Sequence, residues 1–240
     1  MAQAATATGG WASDTTQFSS DGFTINAFFS KPLAGSAPAP AVLVLHEWWG
    51  LNDHIRDVAR RFAAEGYVAL APDLYSRFGS KVAQTPQEAA GLMAALSSQA
   101  VLRDLNAATT WLKAQPFVDG WLIGIVGFSM GGTFALSQAA HNSDLKAAVA
   151  FYGKVPPIET FDYLLCPAQY HYAGKDQWVT RQELERLKQG LAQYGKPGEV
   201  HVYPEADHSF FNDARREVYR AGDARLAWER TTRFLRQQLG

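Results

Sequence analysis

The chain carries one cysteine, Cys166, in 240 residues. It therefore has no intramolecular disulfide to staple it, and this poverty in thiols is expected of a protein of the reducing cytoplasm. An excess of charge is missing too. Lys and Arg number 22 against 23 Asp and Glu, for a net charge of -1, and no basic block stands out, which excludes the electrostatic footprint of a nucleic-acid binder. No apolar run approaches the roughly 20 residues that a bilayer-spanning helix needs, so no membrane partner is expected. The opening MAQAATATGGWASD lacks the basic and apolar segments of a secretory leader and reads as a mobile arm over 1–14. The His-Glu pair at 46–47 is not followed by a second histidine four residues beyond His46, so the zincin pattern fails and no metal is expected.

What is present suits one substantial core. Hydrophobic residues make up 47% and charged ones 19%, and residues 15–240 read as a single domain. Repeats and linkers are absent. Nothing fixes the oligomeric state, and a monomer is favoured over an oligomer. Apolar runs alternate with amphipathic ones, the pattern of a mostly parallel sheet with helices on both faces. Strands are expected over 23–32, 41–45, YVALAPDLY, WLIGIVGF, KAAVAFYG, PAQYHYAG and EVHVYPE. Helices are expected over DHIRDVARRFAAEGY, TPQEAAGLMAAL, SQAVLRDLNAATTWLKAQ, GTFALSQAAH and TRQELERLKQGLAQYG, with one or two more after a cap at Asn212.

The chemistry starts at Val126–Gly132, VGFSMGG. An apolar strand followed by Gly-x-Ser-x-Gly and a helix is the context of a nucleophile elbow. Gly127 and Gly131 let strand and helix approach, and Ser129 is pushed out over the C-terminal edge of the sheet, where open α/β sheets bind ligands. A serine hydroxyl needs a base that is itself oriented by an acid, and this architecture takes them in the order Ser, Asp, His from loops after later strands. Asp176 in GKDQW and His208 in EADHSFF fit that order. His171 and His201 lie within strands and read as packed, while His54 and His141 read as surface or capping residues. The backbone N–H of Met130, opening the helix, is a candidate oxyanion donor.

These stretches, together with VLHEWWGLNDHIRDVARRFAAEGYVALAPDLYSR at 44–77, GIVGFSMGGTFAL at 124–136 and YHYAGKDQWV at 170–179, resemble the dienelactone hydrolase family of α/β hydrolases along nearly the whole chain after the arm. The resemblance implies an α/β-hydrolase fold, an ester or lactone substrate, no cofactor, and Ser129, Asp176 and His208 as nucleophile, acid and base. It places Glu47 beside the nucleophile, where its carboxyl is expected to stay protonated through burial, to hydrogen-bond Ser129, or to tune His208. The Trp48 N–H becomes the second oxyanion donor and Arg77 a holder of a substrate carboxylate. Trp48, Trp49, Tyr75, Phe78, Tyr152, Trp178 and Phe210 are expected to build an aromatic pocket.

Two positions depart from the family pattern. The usual nucleophile is cysteine, and here it is serine. The second substrate-binding arginine, four residues beyond the histidine, is Asn212 here, which weakens the case for a strongly anionic substrate. The expected activity is serine-dependent ester or lactone hydrolysis through an acyl-enzyme. A carboxymethylenebutenolidase, a serine standing for an original cysteine, and a non-catalytic small-molecule binder on the same fold remain open at this point.

Overall fold

The computed structural model describes residues 10–33 and 38–240. Eight strands form one sheet in the order β1-β2-β4-β3-β5-β6-β7-β8. They are β1 (Trp11–Ser20), β2 (Phe23–Pro32), β3 (Ala39–Leu45), β4 (Val68–Pro72), β5 (Val118–Phe128), β6 (Leu145–Phe151), β7 (Ala168–Ala173) and β8 (Gly198–Tyr203). From β4 to β8 neighbours run parallel, while β1 and β2 pair antiparallel with each other, as β2 does with β4.

The arm expected over 1–14 is corrected by this pairing. From Trp11 the chain is already strand, in register with Pro32; residues 1–9 lie outside the described part. The strand is polar along most of its length, so hydrophobic alternation does not announce it. Its signal is the dipeptide Asp21–Gly22, with φ of 49° and 77°, the positive values that a two-residue hairpin turn demands.

The inner parallel strands β3, β4 and β6 are apolar on both faces because both faces are covered. Along β3, Ala41, Leu43 and Leu45 join one core and Val42 and Val44 the other, the two-residue period of a strand. The first core receives α3 (Ser98–Lys113), α4 (Met130–Ala139) and α5 (Arg181–Gln193). The second receives α1 (Asp53–Ala64) and α6 (Ala221–Leu239). The remaining helix, α2 (Pro86–Ala95), buries only Ala89. Local chemistry sets the helix starts: the Asn52 side chain accepts from the Ile55 N–H, and Thr180 and Glu183 form a reciprocal capping box on α5. After β8 there is one α-helix, starting at Ala221. The cap expected at Asn212 instead closes a turn, its Oδ1 accepting from the Ala214 N–H at 3.1 Å. His54, expected at the surface, is buried, and its Nδ1 lies 3.0 Å from Asp213. Cys166 is buried in the first core, and burial pushes its thiol up to about 12, far from reactive.

Two histidines are enclosed by this architecture. His171 on β7 is fully buried, with Nδ1 2.8 Å from the Tyr203 hydroxyl and Nε2 3.0 Å from Gln169 and from Thr231. Burial, with the His201 and Arg230 charges behind it, holds His171 well below its ordinary value of 6.5. Burial also lowers His46, although Asp73 and Glu47 oppose it. Both rings stay neutral in the fold while the unfolded chain protonates them near 6.5. The folded form therefore binds fewer protons below that pH, and stability is lost as pH falls. Stability should therefore fall from pH 8 to pH 5, with the larger part of the loss from His171, the more strongly shifted of the two. Urea unfolding at the two pH values checks this, and His171→Gln, which keeps hydrogen-bonding groups toward Tyr203 and Thr231, should flatten the dependence.

Candidate functional site

Ser129 sits between the end of β5 and the start of α4 with φ 51° and ψ -115°, a conformation that strains any side-chain-bearing residue. The turn is tight enough to exclude substituents on its flanks. A Cβ on Gly127 would lie 2.0 Å from the Gly131 carbonyl oxygen, and one on Gly131 would lie 2.5 Å from that of Leu45. The Ser129 N–H donates to Phe151 at 2.9 Å, which fixes the turn to β6 and turns the side chain outward. Met130 is the first residue of α4, so its N–H has no intrahelical acceptor.

The loops after β7 and β8 deliver the partners. His208 Nε2 lies 2.8 Å from Ser129 Oγ, and His208 Nδ1 lies 2.8 Å from Asp176 Oδ2. The other Asp176 oxygen accepts the backbone N–H groups of Trp178 at 2.7 Å and Val179 at 2.9 Å. Its side chain is fully enclosed. A carboxylate oxygen accepts only, so Nδ1 of His208 carries the proton and Nε2 is left to accept from the Ser129 hydroxyl. The imidazole is held edge-on to Tyr152, with ring centroids 5.1 Å apart.

Glu47 is 2% exposed, and it does not make the hydrogen bond to Ser129 that was one of its expected roles. Its Oε1 accepts from the Tyr152 hydroxyl at 3.3 Å and its Oε2 from the Asn212 amide at 2.6 Å. Glu47 thus reaches the imidazole only through the Tyr152 ring, and it ties the loop after β3 to the loop carrying His208. Asn212 is the partner that the sequence did not reveal as such. The same loop is pinned at His46. Its Nδ1 sits 2.6 Å from the Glu47 carbonyl and its Nε2 accepts from the Leu74 N–H at 3.0 Å, which fixes a neutral ring.

The anchoring role gives an expected outcome. In Glu47→Gln the amide oxygen can still accept from Asn212 and the Tyr152 hydroxyl can accept from the amide nitrogen, so melting should change little. Glu47→Ala leaves two buried donors without acceptors, a loss of about 2–4 kcal/mol, visible as roughly 5–15 °C in a thermal melt.

A cavity of about 350 Å³ opens onto Ser129 and His208. Of the aromatics expected to line it, Tyr152 and Trp178 do. The others are displaced for identifiable reasons. Trp48 is wedged edge-on between Trp49 and Trp178, 5.3 Å from each. Trp49 faces a different depression, under the Arg215 guanidinium. Tyr75 is wholly buried, its hydroxyl donating to the Trp48 carbonyl at 2.8 Å, so it braces the Trp48 peptide instead of meeting a ligand. Phe210 is likewise buried, packed on Tyr152 and Tyr203. Phe78 and Arg77 line a neighbouring cavity. Arg77, expected to hold a substrate carboxylate, forks onto Asp104 of α3 at 2.7 and 3.0 Å and lies over the Phe23 ring. Its charge is neutralised by a carboxylate of the chain itself. Met93, Leu96, Phe134 and Val179 supply apolar lining not foreseen from the sequence. Among the described residues there is no cluster of side chains that could hold a metal ion, and no helix is long and apolar enough to cross a membrane.

Comparisons with known proteins bear on the family and the fold. The model of the Dienelactone hydrolase family matches residues 25–239. A curated relative from Escherichia coli (strain K12), named "Putative carboxymethylenebutenolidase", is 35% identical over 237 residues, covering 94% of this chain and 87% of its own. A solved structure titled "Putative Dienelactone Hydrolase", from Klebsiella pneumoniae subsp. pneumoniae MGH 78578, superposes with a TM-score of 0.89 at 33% identity, over 95% of this chain and 99% of that one. An α/β-hydrolase enzyme from a Medee basin deep-sea metagenome library shares the fold alone, with a TM-score of 0.74 at 15% identity over 95% and 98% of the two chains. The fold is that of the α/β hydrolases, and the chain belongs to the dienelactone hydrolase family, a hydrolase of the ester- and lactone-cleaving kind.

Proposed function

We propose that the chain is a serine-dependent carboxylic ester and lactone hydrolase that works through an acyl-enzyme, and one observation carries the proposal: the unbroken line of hydrogen bonds from Ser129 through His208 to Asp176. His208 Nε2 takes the hydroxyl proton as Ser129 Oγ attacks the carbonyl carbon. The oxyanion forms against the N–H groups of Trp48 and Met130, the first steadied by Tyr75 through the Trp48 carbonyl. Collapse expels the alcohol, which receives the proton from His208, and leaves an ester on Ser129. Water, losing its proton to the same nitrogen, then attacks that ester and releases the acid. Asp176 keeps the tautomer and stabilises the imidazolium. This reading needs no cofactor.

Apart from Ser98, Thr133, Lys154 and the reacting groups, the cavity lining is apolar. Esters and lactones of small to medium size with an apolar or aromatic portion fit it. With Arg77 bound to Asp104, a carboxylate-bearing lactone has no guanidinium in this cavity to hold it. In this reading the enzyme acts on dissolved small molecules in the cytoplasm, as a monomer, without nucleic-acid or membrane partners. A fluorophosphonate tests it. Stoichiometric labelling at Ser129, with loss of hydrolysis on a panel of aryl esters, is expected. A chain that binds such esters but neither turns them over nor takes the label would be a binding protein instead.

A further inference from the structure

A second cavity of about 290 Å³ lies beside the one that holds Ser129. Leu74, Phe78, Ala100 and Val101 give it an apolar wall, and the Arg77–Asp104 ion pair forms its polar part. Leu96 lines both cavities. It belongs to the two-residue joint between α2 and α3, where it ends the first helix in an extended conformation and Ser97 caps the second. Its N–H is tied to the Met93 carbonyl at 3.2 Å. On one side of this joint, Met93 and Ser98 face the Ser129 cavity; on the other, Ala95 and Ser97 face its neighbour. The joint is thinly held, since α2 buries only Ala89 and Leu96 itself is half-buried.

We propose that the second cavity is a distal subsite for the apolar chain of the ester, and that Leu96 is the partition that limits how long that chain can be. The inference rests on Ser129-dependent hydrolysis as proposed above. An extended alkyl chain leaving the Ser129 cavity past Leu96 would meet a further apolar volume of similar size instead of water. Truncating the partition joins the two volumes. Each methylene that then enters should gain about four-fold in kcat/KM, the fold-change equivalent to about 0.8 kcal/mol per buried CH₂.

The test uses two series of straight-chain esters, p-nitrophenyl esters from acetate to dodecanoate and acetates of alcohols of rising length. They are hydrolysed by the unaltered chain, Leu96→Ala, Leu96→Phe and Leu96→Ala/Ala100→Trp. Leu96→Ala should move the optimum to longer chains in at least one series, with the long-to-short ratio of kcat/KM rising ten-fold or more. Leu96→Phe should lower that ratio, and it keeps the test alive should the alanine variant fold poorly. Ala100→Trp, which fills the second cavity, should cancel the gain. Ratios in folded Leu96→Ala and Leu96→Phe equal to those of the unaltered chain in both series would overturn the partition, as would a gain that Ala100→Trp leaves intact. Ser129→Ala run in parallel separates the two failures. Turnover that survives it overturns the serine mechanism, whereas Ser129-dependent turnover with an unmoved length profile overturns only the role of Leu96.

Discussion

Replacing Ser129 by alanine is expected to lower kcat/KM on aryl esters by about 10⁴–10⁶-fold, because the nucleophile and base of such a triad act as one unit and losing either forfeits nearly all of its effect. The cavity and the Trp48 and Met130 N–H groups remain, so a small residue above the uncatalysed rate should persist. The loss should not come from unfolding. Ser129 holds a φ of 51°, an arrangement that costs on the order of 1–3 kcal/mol for a residue with a Cβ. Alanine inherits that strain, so Ser129→Ala should melt close to the original. Glycine relieves it, so Ser129→Gly should be more stable by about 1 kcal/mol while equally inactive. Thermal melts beside initial rates check both halves. A variant that gains stability as it loses activity separates the chemical role of the hydroxyl from any structural one. If Ser129→Ala keeps a tenth or more of the activity, the acyl-enzyme is on another residue or absent.

How far the sequence reaches depends on whether the information is local. The elbow is local: five residues in a strand–turn–helix setting state their geometry, and the glycines are needed because carbonyl oxygens lie where their Cβ atoms would be. The order of Asp176 and His208 is legible because each follows a strand of the parallel sheet, and parallel strands bring their C-terminal ends to one rim. The unforeseen features are side-chain partnerships between distant segments. Arg77 is spent on Asp104, on a helix 27 positions away, and nothing about either residue alone announces the pair. Glu47 meets Asn212 across 165 positions; resemblance placed the glutamate near the nucleophile but could not show that an amide here absorbs its carboxylate. Tyr75 looked like a pocket aromatic because it follows a strand, yet its ring is buried and only its hydroxyl has work, on the Trp48 carbonyl. The polar edge strand β1 escaped because an edge need not alternate, although its Asp-Gly turn was readable.

Asp176→Asn is the sharper test of how the imidazole is held. One Asp176 oxygen accepts two backbone N–H groups, from Trp178 and Val179. An asparagine must place its oxygen there, since an amide NH₂ facing two donors would leave all of them unsatisfied. The NH₂ is therefore presented to His208 Nδ1, now 2.8 Å from a donor instead of an acceptor. The ring answers by moving its proton to Nε2, the nitrogen facing Ser129 Oγ, and in that tautomer it can no longer take the hydroxyl proton. Near-native folding with kcat lower by about 10⁴-fold at neutral pH is the expected result. Asp176→Ala should differ in kind: it strands the Trp178 and Val179 N–H groups in an enclosed site, so it should lose stability by about 1–3 kcal/mol as well as activity. A nitrogen-15 NMR measurement of the His208 ring distinguishes the tautomers directly. If Asp176→Asn still carries the proton on Nδ1, or retains most of its kcat, then the carboxylate is not what sets the base, and orientation would have to come from the flanking Tyr152 and Trp178 rings.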